Sequence, residues 1–243
     1  MRVKCSLSIK VLTVLLPICA LVSDMSPKAM RIMDGNALLF FTTQSNIAVA
    51  AVSLAGIVTF SFGYVTKKWM RIVKLATTTS IMLTMAVYCF LLAPAAMANA
   101  YDGVWSLSSI LLHVVVPVLA IIDYLLCYKS ERYYYTQRLW TIVPPVAFMT
   151  FSAIGYALKW DYGLNQNYPY FFMNYASEAG VFGFSKSLPY MGVAYYAIII
   201  AASVYFFGIV ITSGSLRRKK YDIRSNNGSN NRRFIHNFVN NVF

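Results

Sequence analysis

Long apolar stretches alternate with short polar connections along most of the chain. Six stretches are long enough to cross the core of a bilayer, which takes roughly 20 helical residues. They lie near residues 7–26, 37–63, 75–99, 108–128, 140–158 and 190–213. A spanning segment must satisfy its own backbone hydrogen bonds, and these runs lack the alternation of β-strands. The pattern predicts an all-α fold, a polytopic membrane bundle of six transmembrane helices over residues 1–213.

Composition and charge agree with this prediction. Of the 243 residues, 58% are hydrophobic and only 12% are charged, which is unlike a soluble domain. The formal net charge of +13 would suggest a nucleic-acid partner in a soluble protein. Here the basic residues stand between apolar segments, where they set topology. We therefore expect membrane lipids as partners and no nucleic acid.

The basic residues also predict the orientation of the bundle, because positively charged flanks stay on the cytoplasmic side. With six spans, the basic clusters all fall on one side, and both termini are cytoplasmic. These clusters comprise Arg2, Lys4, Lys10, Lys67, Lys68, Arg71, Lys74, Lys129, Arg132, Arg138, Arg217, Arg218, Lys219, Lys220 and Arg224.

The two ends of the chain carry further expectations. The first segment has the basic start and short apolar core of a secretory signal, and its cleavage would leave five spans. The charge asymmetry favours an uncleaved first span. Residues 214–243 are basic, rich in Asn and poor in apolar residues, so we expect a disordered cytoplasmic tail.

The second apolar stretch contains an unexpected polar run, Thr42 to Asn46. At 1.5 Å per residue, Thr42 lies roughly 8 Å into this span from its outer end. His113 in the fourth span lies roughly 6 Å beyond Ser109, at a similar depth. If the two helices touch, the hydroxyl and the imidazole can meet.

The helical period predicts how the polar run faces its neighbours. Thr42, Ser45, Asn46, Val49 and Ser53 fall along one stripe, and the next two residues after Thr42 point away from it. The favoured interpretation of the stripe's Ser and Asn side chains is interhelical hydrogen bonding.

Two ionisable groups of the fourth span need separate interpretations. His113 is the only histidine in any span, which makes it a functional candidate. Asp123 lies roughly 15 Å deeper, so the two cannot form a catalytic pair. We expect Asp123 to pair with a loop cation such as Arg132 or Arg138.

The chain offers no set of metal ligands and no Gly-rich phosphate loop, so we predict no metal and no cofactor. There is also no GxSxG elbow of an ordinary hydrolase. A threonine beside a histidine is different, because an adjacent base can turn a hydroxyl into a nucleophile.

Three blocks resemble the signatures of a bacterial six-span family: "FFTTQSN" (40–46), "LLHVVVPVLAIIDYLL" (111–126) and "YPYFF" (168–172). That family is similar to the eukaryotic androgen-induced membrane proteins, which are intramembrane threonine hydrolases of fatty-acid esters of hydroxy fatty acids. The resemblance implies a multi-pass protein of the bacterial inner membrane, with Thr42 as nucleophile and His113 as general base.

The implied substrate is a lipid ester held near the outer leaflet. Ser45, Asn46, Tyr168, Pro169 and Tyr170 are the expected substrate-binding residues, with Ser45 or Asn46 as donors to the oxyanion. The aromatic connection 159–189 is expected to lie over the outer mouth as a lid, to anchor at the headgroup level, or both. The competing interpretation is a non-catalytic lipid-binding or transport protein that uses the same polar pocket.

Overall fold

A computed structural model describes residues 2–23, 36–62, 68–99, 103–128, 133–163 and 166–213. Within these ranges all regular structure is helical and no strand forms. The long helices are α1 (Arg2–Ser23), α2 (Phe41–Ser61), α3 (Lys68–Ala98), α4 (Leu107–Tyr128), α5 (Tyr135–Ala157) and α6 (Val193–Ser213). The predicted disordered tail, residues 214–243, lies outside the described residues.

The helices α2 to α6 are each long and apolar enough to cross a membrane. The first helix contributes a shorter apolar stretch, Ser6–Leu21. Two helices begin earlier than the hydropathy pattern predicted, since α3 starts at Lys68 and α5 at Tyr135. Their first turns carry charged and polar residues that are helical without being apolar, and hydropathy cannot detect such turns.

The bundle exposes apolar side chains and buries polar ones, the opposite of a soluble protein. Large exposed hydrophobic residues occur on every long helix and include Ile18, Leu54, Phe60, Phe90, Ile122, Ile154, Ile198 and Phe206. Fully or almost fully buried polar residues include Thr13, Asn46, Ser53, Thr79, Asp123, Thr141 and Ser152. An apolar outer surface of this kind requires lipid as solvent, so the chain is a multi-pass membrane protein.

The third helix lies at the centre of the bundle. Its Leu83 packs with Phe148 of α5 and Ile200 of α6, while its Ile81 packs with side chains of α2 and α4. Nearer its start, Leu75 contacts α4 and α6 through a further buried cluster. Because α3 packs against α2, α4, α5 and α6, its position fixes the relative placement of α2 and α4, which carry the predicted site.

Small hydroxyl residues let neighbouring helices approach α3 closely. Thr78, Thr79, Ser80 and Thr84 are all buried. Each donates its side-chain hydrogen bond to a carbonyl one turn earlier, as Thr78 does to Lys74 at 2.7 Å. The buried hydroxyls are thereby satisfied within their own helix and need no partner from another helix.

A buried charge cluster joins three helices in the half of the bundle away from Thr42. Asp123 of α4 is fully buried and binds Lys10 of α1 through one carboxylate oxygen and Lys74 of α3 through the other, at 2.8 Å. Ser6 donates to the same carboxylate at 2.8 Å. The prediction that Asp123 pairs with Arg132 or Arg138 is wrong. Arg138 instead donates to Thr212 at 3.0 Å, and Arg132 lies outside the described residues.

Lys10 and Lys74 were interpreted from the sequence as signals of topology, but both lie inside helices, α1 and α3. Their long side chains reach a carboxylate inside the bundle. Gly56 of α2 leaves room for the Lys10 stem, since a Cβ at position 56 would lie 3.0 Å from Lys10 Cε. The buried pairing ties α1 to the helices that carry the site.

We expect Asp123→Asn to destabilise the protein by roughly 3–5 kcal/mol, because two buried ammonium groups lose the carboxylate that they share. Asp161→Asn is the matched control, since Asp161 is exposed in the loop after α5. Unfolding in SDS titrations of the purified protein measures the difference. Equal stability of the two variants would contradict the structural role assigned to the cluster.

Candidate functional site

The predicted pair meets at the first turn of α2. This helix begins at Phe41, so Thr42 lies in its first turn. The Thr42 hydroxyl oxygen is 3.2 Å from Nε2 of His113 on α4. Both side chains are half-buried. The structure therefore brings together the alcohol and the imidazole that were predicted to lie at similar depth in the two spans.

The other ring nitrogen of His113 identifies the tautomer. Nδ1 lies 2.9 Å from the carbonyl oxygen of Ser109, one turn earlier on α4. A carbonyl only accepts hydrogen bonds, so Nδ1 carries the proton. In the neutral imidazole Nε2 is then an acceptor and faces the Thr42 hydroxyl, which is the arrangement a general base requires.

Tyr88 of α3 fixes the plane of the imidazole. Its ring stacks on His113 with centroids 3.7 Å apart and planes 17° from parallel. The Tyr88 hydroxyl donates to the carbonyl of Val104, which anchors the ring at its far end. Tyr88 was not predicted as a site residue, because a tyrosine inside an apolar span has no pattern that distinguishes it from a packing residue.

Both helices widen where these two rings meet. A π-helical turn covers Tyr88–Leu92 in α3 and a second covers Leu111–Val115 in α4. Each is followed two residues later by a proline, Pro94 and Pro117, whose missing N–H leaves a carbonyl of the preceding turn without its usual helical partner. Such wide turns shift the direction of the side chains within them and occur often at functional sites.

Ser45 and Asn46 bind backbone groups around Thr42. Asn46 donates one amide proton to the carbonyl of Thr42 at 2.8 Å and another to Leu112 of α4 at 3.2 Å. The Ser45 hydroxyl lies 3.0 Å from the same Thr42 carbonyl and 2.8 Å from the hydroxyl of Thr84 on α3. These contacts match the interhelical role favoured from sequence. With these donors engaged, binding of substrate by Ser45 or Asn46 stays a prediction.

The predicted stripe of α2 is buried at four of its positions, Ser45, Asn46, Val49 and Ser53. Thr43 is buried as well, although the helical period turned it away from the stripe. More than one face of α2 is covered in the bundle, which a single angular stripe does not predict.

The connection after α5 reaches down to Thr42. The backbone N–H of Thr42 donates to the Tyr170 hydroxyl at 3.4 Å. Phe172 and Met173 of the same connection are 2% and 1% exposed and belong to the core that α3, α5 and α6 share. This part of the connection is packed into the bundle, as a lid would be.

The other two predicted residues of this connection do not reach the site. Tyr168 is half-buried and Pro169 is buried, and neither lines the cavity beside Thr42.

The aromatic surroundings of Tyr170 hold its ring in place. Phe172 stacks on it at 5.3 Å, and Phe40 and Phe148 approach at 5.9 and 6.1 Å. This burial raises the pKa of Tyr170, against the hydrogen bonds from Thr42 and Phe41 that lower it. The phenol therefore stays protonated and able to donate at neutral pH.

An apolar cavity opens beside Thr42. Its volume is about 30 Å³, which holds water but is far smaller than an acyl chain needs. Helices α2, α3, α5 and α6 and the connection before α6 supply its walls. The lining side chains are Phe41, Thr42, Leu83, Thr84, Val87, Leu92, Pro145, Phe148, Met149, Tyr170, Phe172, Met173 and Ile200.

Two further points concern the orientation of His113 and the expectation about metals. The Ser109 carbonyl takes the place on Nδ1 of His113 that a carboxylate takes in a catalytic triad. In the part of the chain that the structure describes, no three His, Cys, Asp or Glu side chains group closely enough to hold a metal ion.

Comparison with known proteins adds no family. No family model, no protein of curated function and no solved structure matches this chain. Any chemistry assigned to this site must therefore be argued from the residues of the site itself.

We expect Asn46→Ala to destabilise the bundle by about 1 kcal/mol, because it removes two hydrogen bonds around Thr42, one of them between α2 and α4. Ser53→Ala is the control on the same face, since its buried hydroxyl has no hydrogen-bond partner among the described residues. It should change the stability by less than about 0.5 kcal/mol. SDS unfolding compares the two variants, and a larger loss for Ser53→Ala would refute this assignment.

Proposed function

We propose that this protein is an intramembrane hydrolase of lipid esters, with Thr42 as nucleophile and His113 as general base. The observation that carries the proposal is the 3.2 Å contact between the Thr42 hydroxyl and Nε2 of His113, with Nδ1 bound to a carbonyl. The cavity beside Thr42 adds an apolar place for an acyl group. The resemblance of the three sequence blocks to threonine hydrolases points to the same chemistry.

The reaction follows from these positions. His113 Nε2 takes the proton of Thr42 as its oxygen attacks the carbonyl carbon of the ester. Collapse of the tetrahedral intermediate breaks the bond to the alcohol, which receives the proton from His113. Water, deprotonated by the same imidazole, then attacks the acyl-threonine. The bond to the Thr42 oxygen breaks, His113 returns the proton to that oxygen, and the acid is released.

The substrate enters, in this proposal, from the lipid and not from water. The cavity walls are apolar apart from the hydroxyls of Thr42, Thr84 and Tyr170. Because the closed cavity is too small for an acyl chain, binding requires the connection that carries Tyr170 and Phe172 to move outward. Such opening and closing is a common way to admit a substrate and then exclude water.

The same proposal includes the membrane topology. We place α1 as the first of six spans, since the buried pairing of Lys10 with Asp123 keeps it in the bundle. The distribution of Lys and Arg supports cytoplasmic termini and puts the Thr42 end of the bundle at the outer leaflet. The bacterial inner membrane is the location that the resemblance favours.

We expect a fluorophosphonate probe to label the purified protein in detergent, because Thr42 displaces fluoride from phosphorus while His113 takes the proton. Labelling should disappear in Thr42→Ala and fall at least about 100-fold in His113→Ala. Thr43→Ala is the matched control, since Thr43 is the adjacent buried hydroxyl, and it should label like the wild type.

Two results would reject the proposal. Labelling that persists in Thr42→Ala, or a folded wild type that neither labels nor cleaves esters, would leave a protein that binds or transports lipids in the same pocket. Thermal melting of each variant establishes that the loss of labelling is not a loss of the fold.

A further inference from the structure

The first turn of α2 leaves backbone donors free at the site. The initial N–H groups of an α-helix have no carbonyl partner within the helix, and α2 begins at Phe41. The Thr42 N–H is therefore available, and it donates to the Tyr170 hydroxyl at 3.4 Å. The positive end of the helix dipole lies at this position as well.

The direction of the Tyr170 proton follows from these contacts. Its oxygen accepts from the backbone N–H of Thr42, so its own proton must point elsewhere. The side chains of Tyr170 and Thr42 line the same cavity, which places the two hydroxyls beside each other. Because the Thr42 proton is committed to His113, the Thr42 oxygen can only accept from Tyr170.

The Thr42 oxygen thus has a different group on each side. His113 of α4 is placed to remove its proton, and Tyr170, from the connection before α6, is placed to donate to it. When the Thr42 oxygen bonds to an acyl carbon, it loses much of its capacity to accept. The oxygen that develops negative charge is then the former ester carbonyl oxygen, two bonds away, and it becomes the stronger acceptor for Tyr170.

We propose that Tyr170 is a catalytic residue whose hydroxyl donates a hydrogen bond to the oxyanion formed at Thr42. This inference rests on the proposed hydrolase function. In the attack, the carbonyl double bond becomes a single bond and its electron pair moves to oxygen, where Tyr170 stabilises it. No proton leaves Tyr170 in this step. When the intermediate collapses, the electron pair returns and the phenol again faces Thr42.

The packing of Tyr170 suits a preorganised donor. Its ring lies between Phe172, Phe40 and Phe148, so little motion is needed when charge develops. The neighbouring Phe172 and Met173 hold this segment in the core. The donor therefore arrives only when the connection is packed on the bundle, which couples catalysis to exclusion of water.

The test compares Tyr170→Phe with wild type on p-nitrophenyl butyrate, using the full chain in detergent. We expect kcat to fall by about 100-fold or more, the usual effect of losing one oxyanion donor, with KM changed less than about threefold. Tyr175→Phe is the matched control, because Tyr175 is a half-buried tyrosine of the same connection that does not line the cavity. Its kcat should equal that of wild type.

The outcomes separate the two proposals. An active wild type whose kcat is unchanged by Tyr170→Phe overturns the role of Tyr170 and leaves Thr42 and His113 as the hydrolase. A wild type that cleaves no ester in a Thr42-dependent way rejects the function and this inference together. If Tyr170→Phe fails to fold, 3-fluorotyrosine at position 170 decides. Its more acidic phenol should raise kcat without changing KM, and an unchanged kcat overturns the inference.

Discussion

The hydrogen bond between the Thr42 hydroxyl and the His113 imidazole joins α2 to α4, and the candidate functional residues are arranged around it. The bond is 3.2 Å long and lies at one end of an apolar bundle. Ser109 orients the imidazole through its carbonyl, and Tyr88 stacks on the ring. In a low-dielectric site these contacts are stronger than in water, and an imidazole without them would be costly to bury.

The two polar regions of the bundle differ in charge and in packing. In the half away from Thr42, the ion pairs of Asp123 with Lys10 and Lys74 hold three helices together. The region around Thr42 has neutral donors and acceptors, an apolar cavity and a connection that packs from outside. Fixed helices at one end thereby hold the helices that carry Thr42 and His113 in place at the other end.

Much of the fold followed from the sequence, because membrane spans are set by hydropathy over long windows. The similar depth of Thr42 and His113 also followed, since depth is an arithmetic consequence of a regular helix, whereas the contact between their two helices did not. Tyr88 could not be found in this way. Its stacking depends on π turns in α3 and α4, and these change the angles that a regular helix would give. The partners of Asp123 were missed because Lys10 and Lys74 had been interpreted only as signals of topology.

The third sequence block shows the same limit. Its resemblance pointed to Tyr168, Pro169 and Tyr170 together, but only Tyr170 reaches Thr42 and the cavity. A connection without regular structure has no period from which side-chain direction can be calculated. The contact with Thr42 arises from aromatic packing with Phe40, Phe148 and Phe172, which involves three separate parts of the chain.

The most direct measurement is peptide mass spectrometry of wild-type protein quenched in acid during turnover of p-nitrophenyl butyrate. A covalent mechanism predicts a butyryl group on Thr42, formed in the wild type and lost on longer incubation after the substrate is exhausted. A protein that turns over the ester without any acyl-threonine, or that carries the acyl group on Thr43 or Ser45 instead, would contradict the assignment of Thr42 as nucleophile.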